Sequence, residues 1–234
     1  MPVDQGSLLD GTPKVQISLD LPTIEVALAT AAVAVRAGVD WLEAGTPLIL
    51  GEGVHAVRAL RERFPDHPII ADIKVMDAGY HEAEMMFRAG ADFVVVMSAA
   101  HEHTVREAVR AAREYGRFIM ADIMLEEDKP IAARRMQDLG VDVVLVHTGY
   151  DERHADVGAS PLDDLSDVRA AVTIPLQAVG GLSLEQASRT PAMGAALAVI
   201  GAPLAVADKE FSPGADEEAL FEIISDFVNR VKGA

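Results

Sequence analysis

Ile69-Ile70-Ala71-Asp72-Ile73-Lys74-Val75-Met76-Asp77 decides how the rest of the chain is read. An apolar run leads directly into two carboxylates and a lysine. On a strand, alternate side chains share a face, so Asp72 and Lys74 are expected to project one way and Ile73 the other. Asp77 follows in a segment that Ala78-Gly79 marks as a turn. A lysine among acids keeps its charge, lowers their pKa values and can stabilise a developing anion. The same residues alone would serve equally as a rim ion-pair network, so their meaning depends on the other strands.

Working outward, short β-branched runs alternate with longer amphipathic stretches, the pattern of repeated β-α units on a parallel sheet. Eight strands are expected: Val15-Leu19, Trp41-Leu42, Ile69-Lys74, Phe93-Met97, Phe118-Ala121, Val143-Val146, Leu176-Val179 and Leu197-Ile200. The residues that close or follow them are Asp20, Glu43, Asp72, Ser98, Asp122, His147, Gly180 and Gly201. Ala37-Gly38-Val39-Asp40 recurs as Ala89-Gly90-Ala91-Asp92, Leu139-Gly140-Val141-Asp142 and Met193-Gly194-Ala195-Ala196. The period is about 50 residues, two β-α units, and each copy reads as a helix ending on a positive-φ glycine before a strand. The expected fold is therefore an α/β (β/α)₈ TIM barrel, with its active site at the C-terminal strand ends. A doubly wound open sheet would need a glycine fingerprint after the first strand, where Asp20-Leu21-Pro22-Thr23 stands instead.

Half of the 234 residues are hydrophobic, enough for a large core, and no linker divides them, so residues 1–234 are expected to form one domain with 1–13 as a short extension. There is no cysteine, which excludes disulfides and thiolate catalysis. Met1 to Thr12 lacks a signal-peptide layout, and Ala27 to Val35 is too short to span a bilayer, so a cytoplasmic location is expected. A net charge of −17 disfavours nucleic acid and anionic membranes as partners, and means that a phosphorylated substrate needs local donors or a metal. Arg106, Arg110 and Arg113 read as a solvated stripe, His101-Glu102-His103 as surface, Glu126-Glu127-Asp128 as an acidic helix start, and Met85-Met86-Phe87 as packing.

In such a barrel Glu43 and Asp72 leave neighbouring strands and can share a hard divalent cation, Mg²⁺ being suited to two carboxylates plus waters; the alternative is that Glu43 merely pairs with Lys74. His147 at a strand end is placed as a general base or as a structural histidine. Asp122 either orients a substrate hydroxyl or satisfies loop amides. Gly180, Gly181 and Gly201 follow the last two strands, where barrels often bind phosphate through backbone N–H groups.

The pattern Asp72-x-Lys74-x-x-Asp77 after a third strand resembles the orotidine 5′-monophosphate decarboxylase superfamily, and within it the 3-hexulose-6-phosphate synthases. Leu42 to Ile49, Ala71 to Gly79, His147 to Glu152 and Ala178 to Gly181 carry the resemblance, which runs from about Val15 to Gly201. It implies Mg²⁺ at Glu43 and Asp72, proton removal from C1 of D-ribulose 5-phosphate by His147, and charge stabilisation by Lys74. The resulting carbanion would add to formaldehyde. Asp20 would contact substrate, and Asp77 would reach the partner's site across a homodimer. The related 3-keto-L-gulonate 6-phosphate decarboxylases tend to carry an arginine where this chain has Tyr150 and a glutamate at Asp122, which favours the synthase reading. A sugar-phosphate-binding barrel without catalysis is the remaining alternative. Two departures stand out: Arg153 replaces the synthases' usual glutamine, and Ala202 replaces an arginine that many superfamily members use for phosphate. Arg153 to Gly158 forms an unmatched candidate lid, and Ala202 to Glu217 an irregular stretch.

Overall fold

The computed structural model describes residues 10–202, 204–206, 209–211 and 216–233. The strands are β1 (Lys14–Leu19), β2 (Trp41–Ala44), β3 (Ile69–Val75), β4 (Phe93–Met97), β5 (Phe118–Asp122), β6 (Val143–His147), β7 (Leu176–Val179) and β8 (Leu197–Ala202). They pair in parallel in chain order, and β8 returns to β1, closing a (β/α)₈ barrel. The connecting helices include α1 (Ile24–Arg36), α2 (Thr46–Glu52), α3 (His55–Arg63), α4 (Gly79–Ala89), α5 (Glu102–Tyr115), α6 (Lys129–Asp138), α7 (Tyr150–Ala155), α8 (Leu162–Ala171) and α9 (Leu184–Arg189). The expected domain span of 1–234 and its extension 1–13 include residues 1–9, which lie outside the described residues. Within Ala202 to Glu217, which reads as irregular, β9 (Leu204–Val206) and β10 (Lys209–Phe211) form an antiparallel hairpin, before α10 (Glu217–Lys232). Residues 203, 207–208 and 212–215 of that stretch lie outside the described residues.

The sequence repeat has a structural cause at the lower, N-terminal end of the strands. Gly38, Gly90, Gly140 and Gly194 have φ of 92, 112, 93 and 94°, turning the chain into β2, β4, β6 and β8. The aspartates that follow each bond twice to the neighbouring odd-numbered strand. Asp40, Asp92 and Asp142 accept the N–H of Val15, Ile69 and Ile119 at 2.8, 2.9 and 2.8 Å. Their own N–H groups donate to the carbonyls of those residues at 2.9, 2.8 and 2.9 Å. In the fourth copy Ala196 brings no carboxylate, and its carbonyl accepts the Lys14 N–H at 2.8 Å, where β8 meets β1.

Two apolar layers follow from the strand period of two. Outward residues such as Ile17, Leu42, Val94, Val96, Ile119 and Val144 pack against the helices. Inward residues fill the barrel with Trp41, Ile70, Phe93, Val95, Phe118, Met120, Val143, Leu145 and Leu197. Trp41 stacks on Phe93 at 4.6 Å between ring centroids, and Phe93 on Phe118 at 4.8 Å. Each such side chain contributes roughly 1.5–3 kcal/mol on burial. The aromatic plug seals the lower half, so any ligand enters from above. No helix among the described residues is long and apolar enough to cross a membrane.

Candidate active site

The inward positions change character as each strand climbs. Trp41 is followed two residues later by Glu43, Ile70 by Asp72, Met120 by Asp122 and Leu145 by His147. The same parity on β1 gives Gln16 and Ser18, then Asp20 just beyond it. One periodicity therefore builds a dry floor and a polar mouth.

Glu43 is buried, accepting from Gln16 Nε2 and from Ser18 Oγ at 2.5 Å. Gln16 in turn accepts from Gln177 at 2.8 Å. Burial pushes the Glu43 carboxyl well above the usual range, and the charges of Asp72 and Asp20 push it further. Burial likewise raises Asp20 to about 6, helped by the Asp72 charge. Gly45 makes room for Asp20: a Cβ there would lie 2.1 Å from the Asp20 Oδ1. Asp72 is buried too; its Oδ2 accepts from Lys74 Nζ at 2.8 Å and Thr46 Oγ at 3.1 Å, while its buried Oδ1 has no partner. Three carboxylates thus lie close enough to repel one another, and the Lys74 ammonium acts on all three.

Lys74 does face with Asp72, but not through the expected regular alternation. Ala71 pairs with Val94 and Val75 with Val96, so β3 spends four residue steps where β4 spends two. Lys74 occupies this irregularity at φ 46°, and Ala78 follows at φ 50°. They are the non-glycine residues with positive φ among those described, and both lie in the Asp72–Gly79 segment. Such backbone costs on the order of 1–2 kcal/mol per residue, and bulges commonly re-aim a side chain at a site. The strain delivers Lys74 Nζ to Asp72 and, at 3.4 Å, to Asp122 Oδ2. Burial opposes its charge, yet Asp72 and Asp122 raise its pKa above the ordinary value.

Asp122 is fully buried, and its Oδ2 also meets His147 Nδ1 at 2.7 Å. Its Oδ1 accepts the Met124 N–H at 2.9 Å. Burial alone would raise this carboxyl, but His147, Lys74 and the Met124 amide hold it below the usual range. An ionised Asp122 needs a proton on Nδ1, which leaves Nε2 of a neutral His147 as the basic nitrogen. Of the two readings of Asp122, the structure bears on the loop amide, which it does satisfy, and adds a coupling of the lysine to the histidine.

The other expected residues fall as follows. Asp77 is exposed and lines a cleft of about 420 Å³ with Tyr80, His81, His103, Glu107 and Arg110, apart from the Lys74 cluster. Gly180 and Gly181 follow β7 at φ 121° and 64°, and Gly201 is exposed on β8 beside Ser18. Arg106 and Arg110 pair with Glu102, Glu107 and Glu114 along the α5 surface, whereas Arg113 reaches out of that stripe to Asp142 at 2.9 Å. Asp128 caps α6 by accepting the Ile131 N–H at 3.0 Å. Gln16, Ser18, Thr46 and Gln177 were missed. For the first two the signal was present, since Gln16, Ser18 and Asp20 alternate with Ile17 and Leu19.

Among the described residues no three His, Asp or Glu side chains converge as a closed metal cage. The all-oxygen pair Glu43 and Asp72, with one buried Asp72 oxygen free of partners, fits a hard cation that keeps most of its own waters.

A sequence profile of the Orotidine 5'-phosphate decarboxylase / HUMPS family matches residues 13–210. The 3-hexulose-6-phosphate synthase of Mycobacterium gastri is 37% identical over 191 residues, covering 80% of this chain and 89% of that protein. The crystal structure of 3-hexulose-6-phosphate synthase from Salmonella typhimurium superposes with a TM-score of 0.81 at 31% identity, covering 92% of this chain and 98% of the other. That of 3-keto-L-gulonate-6-phosphate decarboxylase from Vibrio cholerae gives 0.75 at 27%, covering 94% and 99%.

Proposed function

The chain belongs to the Orotidine 5'-phosphate decarboxylase / HUMPS family, and from that premise we propose that it is an aldehyde-lyase joining formaldehyde to D-ribulose 5-phosphate to give a 3-hexulose 6-phosphate. The observation that carries the reading is the single carboxylate oxygen, Asp122 Oδ2, that meets both His147 Nδ1 at 2.7 Å and Lys74 Nζ at 3.4 Å. A candidate base and a cation are thereby held on one carboxylate oxygen, close enough together to serve one substrate.

In this reading Nε2 of His147 removes a proton from C1 of the ketose, and the electron pair moves toward the C2 oxygen. The Lys74 ammonium, kept charged by Asp72 and Asp122, stabilises that negative charge. Carbon C1 then bonds to the formaldehyde carbon, and the formaldehyde oxygen takes back the proton from the imidazolium. The old ketone becomes C3 of the product, so atoms and charge balance without an oxidant. Asp20, whose carboxyl burial raises to about 6, holds a substrate hydroxyl in this reading. Glu43 and Asp72 would hold Mg²⁺, which when bound supplies Lewis-acid polarisation of the substrate oxygens. The reading includes a cytoplasmic homodimer in which Asp77, exposed on this subunit, faces the partner's site.

The test is formaldehyde consumption with D-ribulose 5-phosphate and Mg²⁺, with an EDTA control and 3-keto-L-gulonate 6-phosphate run in parallel. EDTA-sensitive loss of formaldehyde is expected. Carbon dioxide release from the second substrate, without formaldehyde loss, moves the chain to the decarboxylases.

A further inference from the structure

Arg153 combines partial burial with the lack of any ion pair among the described residues. The chain carries a net charge of −17, and many of its half-buried cations are paired: Arg61 and Arg117 with Asp92, Lys129 with Asp164 and Arg135 with Glu126. Arg153, on α7, is half-buried, and its Nε is buried with no hydrogen-bond partner. A buried N–H left unpaired costs about 1–3 kcal/mol, more when charged. The acids beside it in sequence do not relieve it. Glu152 turns back to accept the Gly149 N–H at 3.3 Å, and Asp156 accepts the Gly158 N–H at 2.9 Å.

The guanidinium lies between the Tyr150 ring, 5.8 Å from its centroid, and the backbone after β7. A Cβ on Gly181 would lie 2.2 Å from Nη1 and 2.8 Å from Cζ of Arg153, so the guanidinium lies directly against the open face of this glycine, and a side chain there would push the arginine aside. Gly180 is as tightly placed, since its Cβ would lie 2.3 Å from the Thr148 carbonyl oxygen. The Thr148 N–H donates to Val179 at 3.1 Å, and His147 is registered beside Val179. The base at the end of β6 and the Arg153–Gly181 contact after β7 therefore sit on adjoining strands of one mouth. The residues closing β7 and β8, Gly180, Gly181, Gly201 and Ala202, bring no cation of their own.

We infer that Arg153 is the residue that receives the phosphate end of the substrate, clamping the dianion over the Gly180–Gly181 backbone while the carbonyl end lies at His147 and Lys74. This deepens the reading above and rests on it for the identity of the substrate. A phosphate monoester is the chemistry that fits: a guanidinium offers parallel N–H donors to two phosphate oxygens, and its fixed charge offsets the repulsion of an acidic protein. Arg153 is here a positioning residue, since the reacting carbons lie at the other end of the molecule.

The experiment compares wild type, Arg153→Gln and Arg153→Lys in two assays. The first is steady-state kinetics with D-ribulose 5-phosphate and formaldehyde. The second is the rise in melting temperature on adding inorganic phosphate, which needs no turnover. Arg153→Gln should raise KM for the sugar phosphate roughly 10- to 100-fold with a smaller change in kcat, the loss of one charged hydrogen-bonding group. It should also abolish the phosphate-induced rise while melting normally without ligand, and Arg153→Lys should recover part of both effects. An unchanged KM in an active Arg153→Gln enzyme overturns the inference and leaves the synthase reading standing. Arg153-dependent stabilisation by phosphate in a protein that consumes no formaldehyde supports the inference and removes that reading. Phosphate stabilisation undiminished in Arg153→Gln overturns the clamp whatever the activity.

Discussion

The two ends of this barrel treat their buried and half-buried carboxylates in opposite ways. At the lower end Asp92 is met by Arg61, by Arg117 at 2.6 Å and by the Ile69 N–H at 2.9 Å. Asp142 there has Arg113 at 2.9 Å and the Ile119 N–H at 2.8 Å, and Asp40 has Lys232 at 2.7 Å and the Val15 N–H at 2.8 Å. At the upper end Asp20, Glu43 and Asp72 crowd together around Lys74, and one Asp72 oxygen has no partner. The lower carboxylates are finished structure: every charge is answered within the chain. The upper ones are left electrostatically incomplete, an arrangement that lowers stability and suits the cation and polar ligand proposed above. Backbone strain follows the same division, with Lys74 and Ala78 both above.

The contrast is most sharply broken by substituting one acid at each end. Asp72→Ala should reduce EDTA-sensitive turnover by about 10³-fold or more while the melting temperature stays level or rises. Near-normal turnover in that variant would dismiss the metal-site proposal. Asp92→Ala should do the reverse. It leaves Arg61 and Arg117 without their buried carboxylate and should cost about 3–5 kcal/mol in urea unfolding, with kcat per folded molecule unchanged. A stable Asp92→Ala protein would mean that the lower end is not held by its ion pairs.

The pH dependence sharpens the comparison at smaller scale. Asp20 has its folded-state pKa raised from 3.8 to about 6, so between those values the native state binds a proton that the unfolded chain has released. Stability must therefore fall as pH rises through this window, with the full penalty, about 3 kcal/mol, present above pH ~6. Glu43 shifts in the same direction. Asp122 is lowered, so its contribution is present above the unfolded value and lost on further acidification. Urea midpoints measured in EDTA should decline from pH 4 to 7, and Asp20→Asn should flatten that decline while impairing catalysis. An identical decline in Asp20→Asn would show that Asp20 is not its source. The smallest expected effect is from Ala78→Gly. Relieving the φ of 50° should stabilise the fold by up to about 1 kcal/mol, read as a higher urea midpoint. A loss of stability would mean that the αL backbone there is not strained.

Much of this molecule was readable from local pattern. The strand runs, the glycines at 38, 90, 140 and 194 and the parity that turns Glu43, Asp72, Asp122 and His147 inward are consequences of strand period and turn stereochemistry, which neighbouring residues specify by themselves. Gln16 and Ser18 were legible by the same rule, but short polar side chains between Val15 and Leu19 carry no chemical signature and were passed over. Other features depend on closure of the barrel. The bulge that aims Lys74 is defined only against β4, and Asp122 becomes a bridge only when β3, β5 and β6 stand around it. The chain from Gln177 through Gln16 to Glu43 joins residues far apart in sequence across the β8–β1 seam. Arg153 gains a role only where α7 lies over Gly181. Periodicity and glycine stereochemistry are properties of a few consecutive residues, so sequence alone determined the barrel and which side chains point into it. Which of those side chains touch, and which are left without partners, is set by contacts between distant segments, and only the tertiary structure decided that.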